Sequence, residues 1–257
     1  MMKSSVKCWI GLTLVALPLS LNVIGMGNIL PITATSKTVK AQSVSPKDHA
    51  VEVIKNLASQ YPNDTLPTYI LTPDLPEYIT AATTGTSDQV NFNVYYYAEE
   101  EAIVVNEPAV NELDPIASIE KTTYETEEAA VEAVNQVLDL QGEEVDLGYG
   151  LTGYIQGAAG STYLNWQEGN WSLIVQASNV EGEDPIPLAQ EVVEYLEEVM
   201  LPAPSQVGQI QLRVTPDGSL EANSVTWQEG NVVYRINHVD AMHAVTMTGS
   251  ISEPTEQ

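Results

Sequence analysis

The sequence contains one cysteine, Cys8, in 257 residues. Cys8 precedes an uncharged apolar run, whereas the lipid-modified cysteine of a lipoprotein follows such a run, so lipidation by that route is excluded. If the leader is removed, the rest of the chain has no cysteine, which excludes a disulfide, a thiolate metal site and a thiol nucleophile. Packing alone must then stabilise the fold, and a chain of this size buries roughly 70% of its unfolded surface.

Basic residues are also scarce. Nine Lys and Arg stand against 35 Asp and Glu, giving a formal net charge of −26, and the first 41 residues hold four of the basic residues and none of the acidic ones. A surface this negative repels nucleic acid and anionic lipid, so we expect neither as a partner. The acidity has two alternative explanations. It keeps the protein soluble, or the repulsion between its acidic residues is screened by a saline or alkaline habitat or by bound divalent cations.

Residues 1–41 have the order of a secretory signal peptide. Lys3 and Lys7 precede an uncharged apolar stretch, residues 8–32. We expect cleavage near Ala41, with Ala34 as the second candidate. The stretch is long enough to span a bilayer, so an uncleaved anchor is the alternative, although prolines and glycines interrupt it. The predicted location is therefore secreted or extracytoplasmic, at the cell envelope, with membrane contact only through an uncleaved leader.

Composition divides the chain into five segments. They are the signal peptide (1–41), an N-terminal helix (42–60), a proline-rich extended lead-in (61–88), an α+β domain with hairpin repeats (89–252) and a tail (253–257). Ser45 followed by Pro46 is a typical helix start. Four prolines lie between residues 61 and 78, so we predict neither a regular helix nor a central strand there.

The pentapeptide WQEGN occurs at 166–170 and again at 227–231, each time between strand-forming runs. We predict two hairpins, each closed by a three-residue bulged loop with a left-handed glycine. Aligning the copies places Trp166 with Trp227 and Trp171 with Val232. Duplication of a strand, turn, strand and helix unit is the favoured explanation, and convergence on a good turn sequence is the alternative.

The remaining patterns predict further helices and strands. Thr126 begins a helix that ends at Gly142, with Val137 and Leu138 on its buried face, and a second helix follows Pro185. Residues 89–107 predict a hairpin and residues 145–156 a single glycine-interrupted strand. The predicted fold class is α+β: an antiparallel sheet built from repeated hairpin-plus-helix units, with the helices mainly on one face.

Two motifs suggest chemistry that their surroundings contradict. Gly148, Gly150 and Gly153 have the spacing of a dinucleotide-binding loop, but a strand rather than a helix follows them, so we expect no nucleotide or other cofactor. His238 and His243 would lie about 140° apart on a helix, which is poor geometry for one metal ion. No G-x-S-x-G motif is present, and with three histidines we assign no catalytic residue.

Aromatic side chains are the remaining candidates for ligand contact. The sequence has twelve tyrosines but one phenylalanine. Tyrosine and tryptophan suit contact with a glycan or peptide, because each has an apolar ring and a polar atom. The candidates are Trp166, Trp171, Trp227, Tyr95 and Tyr97. Ordinary half-buried positions in a sheet are the alternative.

Several stretches carry a resemblance. They are GYGLTGYIQGAAGSTYLNWQEGNWSLIV, DPIPLAQEVVEYLE, LPAP and VTWQEGNVVYRI followed by DAM. Over most of residues 60–250 the chain resembles uncharacterised exported proteins and lipoproteins of bacilli and related bacteria. More distantly, its hairpin-plus-helix unit looks like the extracytoplasmic sensing domains linked to anti-sigma factors. The resemblance implies an exported bacterial protein and no particular activity.

We therefore favour a non-enzymatic exported protein that binds or senses an envelope component, whether protein, glycan or peptide. The alternative is a secreted hydrolase that uses two carboxylates, with or without calcium. Such an enzyme needs two carboxyl groups about 5 to 10 Å apart in a cleft. The sequence does not locate such a pair among its 35 acidic residues.

Overall fold

The computed structural model describes residues 44–64, 66–70, 78–86 and 90–252. The predicted signal peptide and tail lie outside these residues. The helices are α1 (Pro46–Gln60), α2 (Glu127–Val134), α3 (Ile186–Glu198) and α4 (Ala241–Ser252). The strands are β1 (Tyr78–Gly85), β2 (Phe92–Glu99), β3 (Ala117–Thr123), β4 (Glu143–Gly148), β5 (Leu151–Ala158), β6 (Ser161–Glu168), β7 (Trp171–Ser178), β8 (Gly208–Arg213), β9 (Asn223–Glu229) and β10 (Val232–His238).

The ten strands form one open sheet in the order β1-β2-β3-β10-β9-β8-β7-β6-β5-β4. All neighbouring pairs are antiparallel except β7 and β8, which are parallel. Parallel neighbours need a crossover connection, and α3 lies in the connection between these two strands. The predicted α+β class is confirmed, and the sheet is antiparallel as predicted except at the β7–β8 pair.

Local sequence signals determine where the helices begin. The Ser45 hydroxyl accepts a hydrogen bond from the Asp48 amide at 3.2 Å, and Pro46 occupies the first turn of α1. The Thr126 hydroxyl accepts one from the Ala129 amide at 3.1 Å and caps α2. Each cap satisfies a backbone donor that the helix itself leaves without a partner.

Two apolar clusters form the main core. In the first, α1 packs on β1, β2 and β3 through Val53 and Leu57, and Met247 of α4 joins it. In the second, α3 packs on β6, β7 and β8 through Val192 and Val193, together with other residues of α4. A smaller cluster joins Ala130 and Val134 of α2 to Val233. Helix α4 thus connects the two halves of the core. In the described part of the chain, no helix is long and apolar enough to cross a membrane.

Two predictions for the first half of the chain are wrong. Part of the predicted lead-in forms β1, an edge strand that pairs with β2 from Tyr78 to Gly85. The prolines precede this strand, so its pairing is not interrupted. Residues 89–107 do not form a hairpin. They contribute β2 alone, which pairs with β1 and β3.

Two predictions for the middle of the chain are also wrong. Helix α2 ends at Val134 because Asn135 adopts a left-handed conformation with φ 54°, and Val137 and Leu138 are exposed. Residues 143–158 form the β4–β5 hairpin rather than one strand. The chain turns at Tyr149 and Gly150, which both have positive φ.

Candidate ligand-binding site

Both WQEGN turns have a two-residue loop. Glu168 pairs with Trp171 in one hairpin and Glu229 with Val232 in the other, which leaves only Gly and Asn between the strands. The loop glycines have φ 57° and 58°, whereas the described non-glycine residues with positive φ do not include the loop asparagines. Positive φ at the first loop position alone is the pattern of a type II′ turn. The predicted three-residue bulged loop is wrong, since Gln and Glu remain paired in the strand.

The same side-chain hydrogen bonds occur in both copies. Nε1 of Trp166 donates to Oε1 of Glu168 at 2.8 Å, and the aligned tryptophan donates to its own glutamate at 2.8 Å. Nε2 of Gln167 donates to the Gly169 carbonyl at 3.0 Å, and the aligned glutamine makes the equivalent bond. Residues two apart on a strand share a face, which is why tryptophan and glutamate meet.

The asparagine connects each turn to a neighbouring segment. Asn170 donates through Nδ2 to the Pro204 carbonyl at 3.1 Å and accepts from the Gly208 amide at 2.9 Å. Asn231 donates through Nδ2 to the Tyr124 carbonyl and accepts from the Tyr124 amide, both at 2.8 Å. Every residue of WQEGN therefore has a structural role in both hairpins.

The structure separates the five predicted contact residues. Trp166 and Trp227 are each 1% exposed, so their rings pack in the core and offer no free face to a ligand in this conformation. Tyr97 is buried and Tyr95 half-buried on β2. Strand β2 lies five strands from β7, about 24 Å at the usual spacing. Trp171 is the one tryptophan of this set that borders a cavity among those described here.

The cavity beside Trp171 has a volume of about 440 Å³. Three segments build it: the first WQEGN turn, the end of α3 and the loop that follows α3. Its lining residues are Glu168, Gly169, Asn170, Trp171, Leu196, Val199, Met200, Leu201, Ala203 and Pro204. Small-molecule sites usually measure 300–1,000 Å³ and combine apolar walls with a few polar groups. This cavity, called the Trp171 pocket below, matches that description.

Close packing fixes the position of the Trp171 ring. Gly208 begins β8 directly beside Trp171 on the parallel neighbour. A Cβ atom on Gly208 would lie 2.7 Å from Cζ3 of Trp171 and 2.8 Å from Cγ of Pro204. Since real Cβ atoms do not approach other atoms so closely, glycine is required there for the ring to lie against the β8 backbone.

Glu168 supplies the negative charge of the pocket. Burial raises the pKa of its carboxyl, the hydrogen bond from Trp166 opposes this, and the nearby charge of Glu197 raises the pKa further. Perturbed carboxyl groups in clefts are characteristic of functional sites. An apolar cavity with an aromatic wall and one carboxylate is suited to a ligand that carries a positive charge on an apolar group.

The aligned position in the second hairpin differs. Val232 replaces Trp171, and Glu229 is exposed. Tyr234 stacks on Trp227 there, with ring centroids 5.1 Å apart and an angle of 17° between the planes. The feature that separates the copies is therefore the tryptophan that lines the pocket. Sequence reasoning selected Trp171 but missed Glu168, although the Trp-x-Glu spacing on one strand face was visible.

The remaining motifs have structural roles. His238 is fully buried and accepts a hydrogen bond from the Asp240 amide through Nδ1 at 2.9 Å. The Asp240 carboxylate accepts from the His243 amide at 2.9 Å. Within the described residues, no group of three His, Cys, Asp or Glu is arranged to hold a metal ion.

Comparison of the chain with protein-family models, with curated proteins and with solved structures finds no match. The resemblance to exported proteins of bacilli stays a prediction.

Proposed function

We propose that this chain is an exported, non-enzymatic binding module of the cell envelope. Its ligand is a positively charged group on an apolar stem, such as a lysine or arginine side chain of an envelope protein or peptide. The observation that carries the proposal is the Trp171 pocket, an apolar cavity of about 440 Å³ with Glu168 in its wall.

Three properties favour a cationic ligand. Trp171 provides an aromatic ring, and a cation within about 6 Å of such a ring is attracted to its face. Glu168 provides a carboxylate, and Glu197 adds negative charge nearby. The net charge of −26 attracts cations over longer distances. Apart from charge, Met200 at the pocket is 83% exposed, and a flexible methionine adapts to ligands of different shape.

A carboxylate-dependent hydrolase receives less support. The Trp171 pocket contains one carboxylate, Glu168, and two smaller cavities on the sheet share a single carboxylate, Glu221. Glycoside hydrolysis requires two carboxyl groups about 5 to 10 Å apart. Arg235 also lines one of the smaller cavities, so that cavity has a basic neighbour.

The proposal includes an origin by duplication of a hairpin-plus-helix unit, with the helices mainly on one face of the sheet. The matched turn conformations and hydrogen bonds of the two WQEGN copies support it. A helix follows each hairpin, α3 after β7 and α4 after β10. After duplication the two copies would have diverged at one aligned position. The first hairpin has Trp171 there and forms the ligand pocket, whereas the second has Val232.

Calorimetric titration of the chain without residues 1–41 tests the binding function. The ligands are Nα-acetyl-lysine amide and its neutral counterpart Nα-acetyl-norleucine amide, which has the same four-carbon stem and lacks the terminal ammonium group. We expect the lysine compound to bind more tightly. The variant Trp171→Val gives the first hairpin the residue of the second, and we expect it to lose the binding while remaining folded.

The control variant is Val232→Ala, at the aligned position outside the pocket, and it should bind as the wild type does. Equal binding of the two ligands, or unchanged binding by Trp171→Val, would contradict the proposal. Pull-down from envelope extracts adds a second readout. Recovery of neither protein, glycan nor lipid would count against an envelope-binding role.

A further inference from the structure

A polar groove crosses the sheet from β6 to β10, away from the Trp171 pocket. It consists of two adjoining cavities of about 240 Å³ and 160 Å³, both lined by Gln211 and Glu221. The larger cavity is lined mainly by amide, hydroxyl and guanidinium groups, among them Asn135, Gln209, Ser224, Thr226, Arg235 and Asn237. It is smaller than most sites for drug-sized molecules, so it fits a small molecule or the end of a chain.

Arg235 distinguishes this groove in a chain with so few basic residues. Its Nε donates to the Thr226 hydroxyl at 3.2 Å. Within the described residues, no carboxylate oxygen lies within 4.0 Å of its guanidinium nitrogens. Lys121 and Arg213, in contrast, each form an ion pair with an aspartate.

Two glutamates lie near Arg235 without pairing with it. Glu120 is its register partner on β3, and Glu221 lines the same cavity. Neither carboxylate comes within ion-pair distance of the guanidinium in the described structure. The half-buried guanidinium therefore keeps its terminal nitrogens available to a ligand.

Other polar groups lie beside Arg235. Ser224 on β9 is the register partner of Gln211 on β8 and of Asn237 on β10, and Thr226 is the partner of Arg235. Adjacent strands are about 4.8 Å apart, so these side chains lie within reach of one small ligand. The side chains of Gln211 and Ser224 make no hydrogen bond with another described residue.

We propose that this groove is a second ligand site, independent of the Trp171 pocket, and that it binds a carboxylate. The carboxylate accepts hydrogen bonds from the terminal guanidinium nitrogens of Arg235 and from the Ser224 hydroxyl, with the Gln211 amide as a further donor. The planar guanidinium fork matches the two oxygens of a carboxylate, and such charge-assisted pairs are among the strongest hydrogen bonds in proteins.

The negative charge of the whole chain repels an anion and weakens this binding, but short-range contacts with the guanidinium can outweigh the repulsion. Exposed charges are screened over about 8 Å at physiological ionic strength, whereas the partly buried guanidinium acts at contact distance. Two sources of carboxylate fit the groove, the C-terminus of a peptide and a sugar acid. Glu221 in the wall favours a ligand that also carries an amino group, which a free amino acid or peptide provides.

NMR titration of the chain without residues 1–41 tests the proposal. The probes are alanyl-alanine, N-acetyl-alanine and glucuronate, with alanine amide and glucose as counterparts that lack the carboxylate. We expect the carboxylates to bind, with shifts in the backbone amides of Ser224 and Asn237, and the counterparts to have no effect. Tighter binding of alanyl-alanine than of N-acetyl-alanine or glucuronate would identify the peptide source.

Variants assign the binding to Arg235. Arg235→Gln should weaken carboxylate binding by about tenfold or more, as expected for loss of a charged hydrogen-bond donor. Arg235→Lys keeps the positive charge but loses the planar guanidinium, so its carboxylate affinity should lie between those of the wild type and Arg235→Gln. It provides the test if Arg235→Gln fails to fold. Lys55→Gln removes the same charge from an exposed position on α1 and should bind as the wild type does.

Three results would overturn the proposal: no carboxylate binds the folded wild type, Arg235→Gln binds unchanged, or Lys55→Gln loses affinity equally. Trp171→Val should leave carboxylate binding intact. A failure at the Trp171 pocket is thus distinguishable from a failure at the groove.

Discussion

Replacing the loop glycine of each WQEGN turn by alanine tests whether the turn conformation explains the repeat. Gly169 and Gly230 have φ 57° and 58°, and a Cβ atom on either would meet nothing within 4 Å. The substitutions Gly169→Ala and Gly230→Ala therefore add backbone strain without a steric clash. The first loop position of a type II′ turn strains any residue that has a Cβ atom, at a cost of about 1–3 kcal/mol.

Alanine also restricts the unfolded chain, which offsets about 0.4–1 kcal/mol of that cost. We expect each variant to be less stable than the wild type by about 1–2 kcal/mol. Gly157 in β5 is the matched control, since its Cβ would also meet nothing within 4 Å while its φ is not positive. Alanine there should leave stability unchanged or raise it by about 0.5–1 kcal/mol.

Urea unfolding followed by tryptophan fluorescence and circular dichroism measures these differences. The slope of the free energy of unfolding against urea concentration should stay the same, and the midpoint should fall to a lower urea concentration for the two turn variants. The reasoning is refuted if Gly169→Ala and Gly230→Ala are as stable as Gly157→Ala. It is also refuted if all three lose stability equally, because strain at positive φ would then not be the cause.

Three further outcomes are expected. Gly208→Ala should displace the Trp171 ring and so change its fluorescence spectrum. It should also lower the free energy of unfolding by about 1–3 kcal/mol through overpacking. An unchanged spectrum would contradict the contact between Gly208 and the ring. Burial raises the folded-state pKa of Glu168, so its ionisation lowers the stability of the fold as pH rises through that pKa. Glu168→Gln should remove this loss, which is measured as the melting temperature between about pH 4 and 7. The same pH dependence of melting temperature in wild type and variant would contradict the prediction. Asp64→Asn should lower the free energy of unfolding by about 3 kcal/mol, because it leaves the mostly buried Lys121 without its ion pair. Asp217→Asn, at an exposed ion pair, should leave the unfolding midpoint unchanged. Equal effects of the two substitutions would contradict the difference in burial.

The sequence predicted features that depend on neighbouring residues. The caps at Ser45 and Thr126 are local, and the structure has both. The positions of the two WQEGN hairpins follow from their flanking strand-forming runs. The end of α2 at Asn135 was missed because the apolar spacing continues past it, and a left-handed residue, not a change of spacing, ends the helix.

Features that depend on distant pairing were not predictable in the same way. Strand β10 pairs with β3, more than a hundred residues earlier in the chain, and nothing in either segment specifies that partner. The Trp171 pocket forms because the crossover through α3 returns the loop before Gly208 to the first turn. The groove at Arg235 likewise needs three strands side by side, although Arg235 was visible as one of only five basic residues after Ala41.

The indole N–H signals of the tryptophans test the central claim most directly, because each ring reports on its own surroundings. Titration of the chain without residues 1–41 with Nα-acetyl-lysine amide should shift the Trp171 signal, and also the Trp166 signal, because Nε1 of Trp166 donates to Glu168 in the pocket wall. The Trp227 signal should change little, because its Nε1 donates to Glu229, which is outside the pocket. A Trp171 signal that does not move at saturating ligand, or a Trp227 signal that shifts as much as the Trp171 signal, would contradict binding in the Trp171 pocket.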